Sequence, residues 1–321
     1  MKLPPAGLAR SGRDVREVLA TLRLRPSRRL GQNFLIDPNL ADALVRELDV
    51  PAGTPVVEIG PGLGALTAAL LAAGARPVIS VERDRRLAAW LAEVARQEDL
   101  PLRVTAADFL RLGPADLELD SGTGAADPAR AERLLAAGNL PYAQATPLVM
   151  HLVTAFGNRI AAAQLMLQRE MAERLAAGPG TAAYGAPSVR LQLGWQVRIT
   201  RRVPPEVFHP RPEVESAVVR IEPLAQPLLA PADVELRHAV ATLVTTGFGQ
   251  RRKRLAGLIR SRWSLSTAAA DAALAAAGLA ANARAEEVPP AGWVALARAL
   301  GIEPPRPPHR CPEGRHGRLA V

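Results

Sequence analysis

The stretch VVEIGPGLGALT (residues 56–67) joins an apolar segment to an alanine- and leucine-rich segment through three closely spaced glycines. The apolar pattern predicts a strand over 54–60 and a helix over 65–74, which ends at a glycine. Glycine in such a turn lets the backbone bend sharply and approach a ligand. The spacing is G-x-G-x-G, not the G-x-G-x-x-G of nicotinamide-dinucleotide enzymes, and the glycines are Gly60, Gly62 and Gly64.

Helices and strands alternate on both sides of this turn. Residues 37–48 predict a helix, in which Asp37 caps the N-terminus and Pro38 takes the first helical position. After the turn, the pattern predicts a strand over 77–82, a helix over 85–97 and a strand over 102–108. Further along, strands are expected over 191–203 and 216–223. A fourth strand is expected at RLLAA (133–137), although these residues have weak strand propensity, because the alternation requires it. This order predicts an α/β fold with a parallel sheet and crossover helices.

Two carboxylates end predicted strands at the edge of the sheet where the glycine turn lies. Glu82 follows the first glycine at a spacing that lets a carboxylate accept both ribose hydroxyls of an adenosine. Asp108 ends the next strand, where it can accept a hydrogen bond from an adenine amino group. Either residue alone is equally compatible with a solvated acid at a strand end. No lysine follows the loop to hold a phosphate, which excludes a P-loop and favours S-adenosylmethionine as the ligand.

The motif GNLPY (138–142) follows the expected fourth strand and so falls at the same edge. Taken alone, it is compatible with a plain strand-to-helix turn. At a ligand edge, the Asn139 side-chain oxygen and the Leu140 carbonyl can each accept one N–H of an adenine amine, whose lone pair is otherwise delocalised into the ring. Pro141 would fix the backbone and Tyr142 would stack on the base. Catalysis would then consist mainly of alignment and polarisation.

The chain carries an excess of positive charge that indicates a polyanionic partner. Its 321 residues have a formal net charge of +9, and lysine occurs only twice, so arginine supplies nearly all of this charge. A genome rich in G and C explains arginine in place of lysine, but not the excess itself. Two basic clusters, RPSRR (25–29) and QRRKR (250–254), predict phosphate contacts that weaken with salt, although such runs are also common on solvated surfaces. The candidate RNA-binding residues are Arg28, Arg29, Arg251, Arg252, Lys253 and Arg254.

Several classes of protein are disfavoured by what the sequence lacks. Cys311 is the only cysteine, so no disulfide forms within one chain, as is usual in a reducing cytosol. The N-terminus has no apolar signal-peptide core, and the longest apolar run (65–75) is too short to span a bilayer. The histidines have no metal-ligand spacing. We therefore expect a soluble cytoplasmic protein without a metal.

The motifs together resemble the ribosomal RNA adenine N6-dimethyltransferase family, and in particular its small-subunit branch. The resemblance extends over about residues 28–300. It rests on LGQNFLID (30–37), VVEIGPGLGALT (56–67), NLPYAQATPLV (139–149), MLQREMAERLAAGPGTAAYG (166–185), VPPEVFHPRPEVESAVVR (203–220) and TTGFGQRRKRL (245–255). It implies a Rossmann-like class I S-adenosylmethionine-dependent methyltransferase domain, with a mostly parallel seven-stranded sheet, followed by a small all-α domain. The loop at 112–132, the weak fourth strand and the proline-rich tail are atypical.

The resemblance also implies site residues, domains and a substrate. The cofactor residues would be Asn33, Leu35, Gly60, Gly62, Glu82, Asp108 and Asn139. Phe208 would be a second ring that clamps a flipped adenine against Tyr142. The expected division is a loosely ordered basic lead-in (1–27), the catalytic domain (28–225), a helical RNA-binding domain (226–302) and a disordered tail (303–321). The expected substrate is two adjacent adenosines in small-subunit ribosomal RNA, within the immature 30S subunit, and the expected enzyme is a monomer.

Three other functions remain as alternatives. A resistance methyltransferase acting on a large-subunit adenine would share the catalytic motif, and mapping the methylated nucleotide separates the two. An RNA-binding assembly or transcription factor would keep the fold without the chemistry, which the presence of Asn139, Pro141 and Tyr142 disfavours. A nicotinamide dehydrogenase would need a hydride-transfer constellation, which the sequence does not contain.

Overall fold

The computed structural model describes residues 7–27, 31–117, 133–229 and 233–301. In these ranges the helices are α1 (Gly12–Thr21), α2 (Pro38–Leu48), α3 (Ala65–Ala73), α4 (Arg85–Gln97), α5 (Ala145–Ala155), α6 (Arg169–Ala176), α7 (Ala186–Gln192), α8 (Val234–Gly249), α9 (Leu255–Trp263), α10 (Thr267–Ala276) and α11 (Pro290–Leu300). The strands are β1 (Phe34–Leu35), β2 (Val56–Ile59), β3 (Val78–Glu82), β4 (Leu102–Ala106), β5 (Leu134–Asn139), β6 (Ile160–Gln168), β7 (Trp195–Val203), β8 (Phe208–His209) and β9 (Ser216–Pro223).

Seven strands form one sheet in the order β4-β3-β2-β5-β6-β9-β7. The pairs from β4 through to β6 are parallel, and only β9 runs antiparallel to its neighbours. This confirms the predicted mostly parallel seven-stranded sheet. The strand order reverses at β2, because β3 and β4 lie on one side of it and β5 and β6 on the other. The carboxyl end of β2 is therefore the switch point at which open α/β sheets bind ligands.

Alternation of side chains along the strands builds a core on each face of the sheet. Val56 of β2 packs in one cluster with α2 and α3, while Val57 and Ile59 pack in the other with α5. The N-terminus of α2 is capped as the sequence predicts, since the Asp37 carboxylate accepts hydrogen bonds from the backbone of Asn39 and Leu40. The fourth strand of the parallel array, β5, forms despite its two alanines because it is buried between two neighbouring strands.

Two sequence expectations in this part of the chain were wrong. The basic lead-in is not loosely ordered throughout, because residues 12–21 form α1. A capping box between Ser11 and Asp14 closes the first turn of this helix, and Val15 and Leu19 are buried beneath it. The strand expected over 191–203 begins only at Trp195, since the residues before it finish α7 and its turn.

The chain divides into two compact units, Met1–Pro227 and Leu228–Val321, and the second contains α8 to α11. Trp293 of α11 is fully buried and packs against Phe248 of α8 with their ring centroids 5.8 Å apart.

The basic residues of QRRKR were expected on a helix. The structure places them on the turn between α8 and α9 instead. None of the helices in the described ranges is long and apolar enough to span a bilayer. The loop core (118–132) and the tail lie outside those ranges.

Gly138 offers a test of how tightly β5 and β2 must approach at the switch point. A Cβ at this position would lie 2.7 Å from the Ile59 carbonyl oxygen, so we expect Gly138→Ala to force the strand ends apart. The expected loss in the free energy of unfolding is about 1–3 kcal/mol, measured by urea denaturation. Gly194→Ala is the matched control, because a Cβ there meets nothing within 4 Å. Equal stabilities of the two variants would contradict the close approach.

Candidate functional site

A cleft opens at the carboxyl ends of β2, β3 and β5. Its walls come from the segment before and within β1, the glycine loop after β2, the ends of β3 and β4, and the turn after β5. It brings together every residue that the family resemblance assigns to the cofactor: Asn33, Leu35, Gly60, Gly62, Glu82, Asp108 and Asn139. Leu140 and Pro141 line it as well. The roles of these residues stay predictions, but their convergence in one cleft is a feature of the fold.

The glycine loop is shaped by close contacts on both sides. Gly62 has a φ of +57°, which favours glycine, and a Cβ there would lie 3.0 Å from the Phe34 ring. Its N–H donates to Oε2 of Glu82 over 3.1 Å. The loop is therefore held between the β1 segment and the end of β3, and a side chain at residue 62 would require Phe34 to move.

Glu82 is a nearly buried carboxylate whose position is fixed by backbone donors. Only 7% of its surface is exposed, and Oε1 accepts a 2.8 Å hydrogen bond from the Asp84 N–H in addition to the bond from Gly62 to Oε2. Burial raises the pKa of Glu82, with a further contribution from the charge of Asp84, while hydrogen bonds from the backbone N–H groups of Asp84, Gly62 and Arg83 oppose that rise. Each oxygen keeps a lone pair. The group is thus set to accept two further donors from the cleft.

Asp108 lies two residues beyond β4 and not at the strand end as predicted. Its Oδ1 accepts from the Leu110 N–H over 3.2 Å, which caps a short 3-10 turn, and Oδ2 lies 3.8 Å from Nε of Arg83. Behind this turn, His151 contacts the Leu112 carbonyl over 2.8 Å and Phe109 stacks on Phe156. These contacts hold the loop that presents Asp108 to the cleft.

Glu58 is a lining residue that sequence reasoning did not single out. It is 1% exposed, and its Oε2 accepts hydrogen bonds from Thr67 (2.6 Å) and Ser80 (2.8 Å). Burial raises its pKa to about 7, with a further contribution from the charge of Glu82, while the two hydroxyls lower it. A glutamate inside an otherwise apolar strand is the sequence signal that would have identified it.

The amide of Asn139 has one defined orientation. Its Nδ2 donates to the Asn33 carbonyl oxygen over 2.8 Å, and a carbonyl can only accept, so the nitrogen must occupy that side. The acceptor Oδ1 is consequently left for the cleft side of the group. The next residue is also fixed, because the Leu140 N–H donates to the Met166 carbonyl over 2.9 Å. The acceptors predicted for an adenine amine are therefore held by neighbouring strands and by the β1 segment.

Tyr142 and Phe208 differ from the clamp that the resemblance implies. Tyr142 is partly buried, and its hydroxyl lies 2.7 Å from Oγ of Ser216. Phe208 is only 2% exposed, since β8 pairs with β1 and places its ring in the core of the sheet. The prediction that Phe208 offers a stacking surface to the cleft is thus not met in this conformation, because the core buries the whole ring.

The basic cluster of the second unit contains three exposed cations. Arg251 forms an ion pair with Glu286, so part of its charge is compensated. Arg252, Lys253 and Arg254 are exposed on the turn. Arg28 and Arg29 of the other predicted cluster lie outside the described residues. Among the side chains that the structure does describe, no group of three or more His, Cys, Asp and Glu is placed to hold a metal ion.

A family model described as ribosomal RNA adenine dimethylase matches residues 24–300. The chain belongs to the ribosomal RNA adenine dimethylase family. It is accordingly a methyltransferase, as the motifs predicted. The chain is 43% identical over 290 residues to Ribosomal RNA small subunit methyltransferase A of Rhodospirillum rubrum. The matched region covers 89% of this chain and 92% of the relative. A protein of the same name from Leifsonia xyli is 40% identical over 288 residues, covering 88% and 96%.

Solved structures support the same fold. The 23S rRNA methyltransferase ErmE superposes with a TM-score of 0.62 at 26% identity, covering 84% of this chain and all of that one. A dimethyladenosine transferase from Plasmodium falciparum gives a TM-score of 0.66 at 22% identity, covering 84% and 99%. The second likeness supports the fold alone. Together with the family match, they confirm the predicted class I methyltransferase architecture.

The raised pKa of Glu58 predicts how stability depends on pH. Between its ordinary value of 4.5 and about 7, the folded state holds a proton that the unfolded state has lost, so the unfolding free energy falls as pH rises. Glu58→Gln removes this titration. We expect its stability relative to the unsubstituted protein to increase from pH 4.5 to 7, by up to about 3 kcal/mol, and then to level off.

Urea unfolding at several pH values measures this difference. Glu93→Gln is the matched control, because Glu93 is exposed on α4 and pairs with Arg96, which lowers its pKa. The control should show no gain that grows with pH. A constant difference between Glu58→Gln and the unsubstituted protein across the range would contradict the buried titration.

Proposed function

We propose that this enzyme dimethylates N6 of two adjacent adenosines in the 3′-terminal hairpin loop of small-subunit ribosomal RNA. It would act in the cytoplasm on the immature 30S subunit and so contribute to the biogenesis of that subunit. The observation that carries the proposal is the fixed amide of Asn139, whose Nδ2 is bound to the Asn33 carbonyl beside the cleft that contains Glu82 and Asp108. The name of the relatives at about 40% identity supports the small subunit as the substrate.

The cleft fits S-adenosylmethionine by the chemistry of its lining. Glu82 would accept the two ribose hydroxyls, since each of its oxygens has one lone pair beyond those used by Gly62 and Asp84. Asp108 would accept from the adenine amino group. Asn33, Leu35 and the glycine loop would form the wall against which the molecule lies. When bound, S-adenosylmethionine supplies an activated methyl group on a positively charged sulfur, which suits a cleft with buried carboxylates.

The turn after β5 would prepare the substrate amine. The N6 lone pair of adenine is delocalised into the ring, which makes it a poor nucleophile. Oδ1 of Asn139 and the carbonyl of Leu140 would each accept one N–H and draw the nitrogen toward tetrahedral geometry, in which its lone pair is available. A strong general base is unnecessary, because the alkylated amine loses its proton readily. The contribution of the chain is thus alignment and polarisation.

The adenine must leave its stack to reach the cleft, at a cost of a few kcal/mol that is smaller in a loop than in a helix. Stacking on the ring of Tyr142 would return about 1–3 kcal/mol. In this conformation Phe208 contributes no second ring. The exposed cations Arg252, Lys253 and Arg254 would hold the RNA through its phosphates. The predicted contributions of Arg28 and Arg29 are part of the same proposal.

A second candidate substrate is an adenine of large-subunit ribosomal RNA. The observation in its favour is the fold similarity to ErmE at 26% identity. The higher identity to the small-subunit enzymes favours the first candidate. Transfer of tritiated methyl groups into small and large ribosomal particles from a strain without this activity, followed by mapping of the modified nucleotides, separates the two. Absence of N6-methylated adenine from both particles would refute the proposal.

In the same assay, Asn139→Ala removes the amide that would accept from the adenine amine. We expect the rate of methyl transfer to fall at least about a hundredfold, while binding of the RNA changes little, because the lost contact acts on the reacting nitrogen. Asn39→Ala is the matched control, since Asn39 is an exposed amide on α2, away from the cleft lining. Equal activity of the two variants would refute the role of the Asn139 amide.

The basic turn gives a prediction about salt. If Arg252 contacts one phosphate, Arg252→Ala should reduce the slope of log K against log salt concentration for RNA binding by about 1. Arg298→Ala, at an exposed arginine of α11, serves as the control and should leave the slope unchanged. Filter binding or fluorescence anisotropy at four salt concentrations measures the slopes. Identical slopes for all three proteins would exclude the phosphate contact.

A further inference from the structure

The hydroxyls of Tyr142 and Ser216 lie 2.7 Å apart although the residues are 74 positions apart in the sequence. Ser216 is fully buried, whereas Tyr142 is partly buried and begins the short turn after Pro141. This hydrogen bond fixes the hydroxyl end of the Tyr142 ring, and Tyr142 lies in the chain between the cleft-lining residues Pro141 and Gln144. The family resemblance assigns a stacking role to Tyr142 but says nothing of what orients its ring.

The Ser216 end of this bond is rigid. Ser216 is the first residue of β9 and is paired on one side with Gln168 of β6 and on the other with Val203 of β7. The residue before it is also held, because the Glu215 carbonyl accepts from the Arg169 N–H over 3.0 Å, and the Glu215 and Arg169 side chains form a 2.7 Å ion pair. The Ser216 hydroxyl therefore projects from a strand that is fixed on both edges.

The Tyr142 ring is constrained at its other end by the backbone. The ring of Pro141 fixes the φ of the residue immediately before Tyr142 in the chain, and Gly31 lies so close that a Cβ there would be 3.4 Å from both the Pro141 Cβ and the Tyr142 nitrogen. With the backbone held at one end and the hydroxyl at the other, rotation about the Cα–Cβ bond of Tyr142 would break the hydrogen bond. The long axis of the ring is thus fixed by Ser216.

We propose that Ser216 is a positioning residue for methyl transfer, which fixes the position of the Tyr142 ring on which the target adenine stacks. This inference rests on the proposed function. Tyr142 lies three residues beyond Asn139, so the position of its ring determines where a stacked base presents its amine relative to Oδ1 of Asn139. A tilt of the ring would move that amine away from its acceptors, and misplacement of this kind lowers the rate of the chemical step. Ser216 acts through Tyr142 and touches neither substrate in this scheme.

A double-mutant cycle with Ser216→Ala and Tyr142→Phe tests the proposal. Each substitution removes one hydroxyl of the pair and keeps the ring. We expect each to lower kcat for ribosomal RNA about tenfold, as the loss of one hydrogen bond allows. The affinity for S-adenosylhomocysteine, measured by calorimetry, should change less than twofold. The double variant should be no slower than either single variant, because both remove the same bond.

Two controls separate positioning from folding. Ser188 is also fully buried and in the same unit, and its hydroxyl contacts the Arg174 carbonyl and the Gly185 N–H, outside the cleft lining. Ser188→Ala should lower the melting temperature without changing kcat of the folded enzyme. Ser216→Thr keeps the hydroxyl and should recover most of the rate that Ser216→Ala loses.

The outcomes are distinguishable from a failure of the proposed function. If the unsubstituted protein does not methylate adenine N6, the proposed function fails. If it does, and Ser216→Ala matches it in kcat, only the positioning role is overturned. Additive losses in the double variant would also overturn that role, because they would mean that Ser216 influences the reaction independently of Tyr142.

Discussion

The hydrogen bond from Nδ2 of Asn139 to the carbonyl of Asn33 joins two parts of the chain that are 106 residues apart. This hydrogen bond determines which end of the Asn139 amide faces the cleft, and hence whether its oxygen is there to accept a hydrogen bond. The segment that supplies the carbonyl makes two more contacts with residues distant in the sequence. Phe34 lies against the glycine loop at Gly62, and the Ile36 N–H donates to Val207 over 2.8 Å. One short segment thereby contacts the turn after β5, the glycine loop and the residue before β8, so its own placement constrains two walls of the cleft.

Buried carboxylates give the floor of the cleft its electrostatic character. Glu58 and Glu82 are both nearly inaccessible to solvent, and burial raises the pKa of each. Removing charge from water is costly unless donors replace the water, and here the donors are the hydroxyls of Thr67 and Ser80 for Glu58 and backbone N–H groups for Glu82. A positively charged ligand would further offset that cost.

The sequence predicted the parts of the fold that local pattern determines. The glycine loop, α2 with its Asp37 cap and the strands β2 and β3 all follow from spacing and propensity. The central strand β6 was not predicted, because its alanines give no alternation when both faces are buried. The contact between Asn139 and Asn33, and that between Tyr142 and Ser216, depend on tertiary pairing across the sheet, which no local pattern records. The motifs thus identified residues that line the cleft, and the structure shows how the side chains of Asn139 and Tyr142 are oriented.

The two halves of the site differ in how completely they are formed. The residues predicted to bind the cofactor are assembled, with Glu82 and Asp108 in place beside the glycine loop. Of the two rings predicted to hold the adenine, Tyr142 is fixed by the hydrogen bond of its hydroxyl, but Phe208 is buried in the core. Burying a phenylalanine side chain stabilises a protein by about 1.5–3 kcal/mol, and stacking a base on a ring returns about 1–3 kcal/mol. Because these magnitudes nearly cancel, moving Phe208 to an adenine would add little net affinity. In the proposed function, the ring of Tyr142 would therefore be the surface that decides where the base lies.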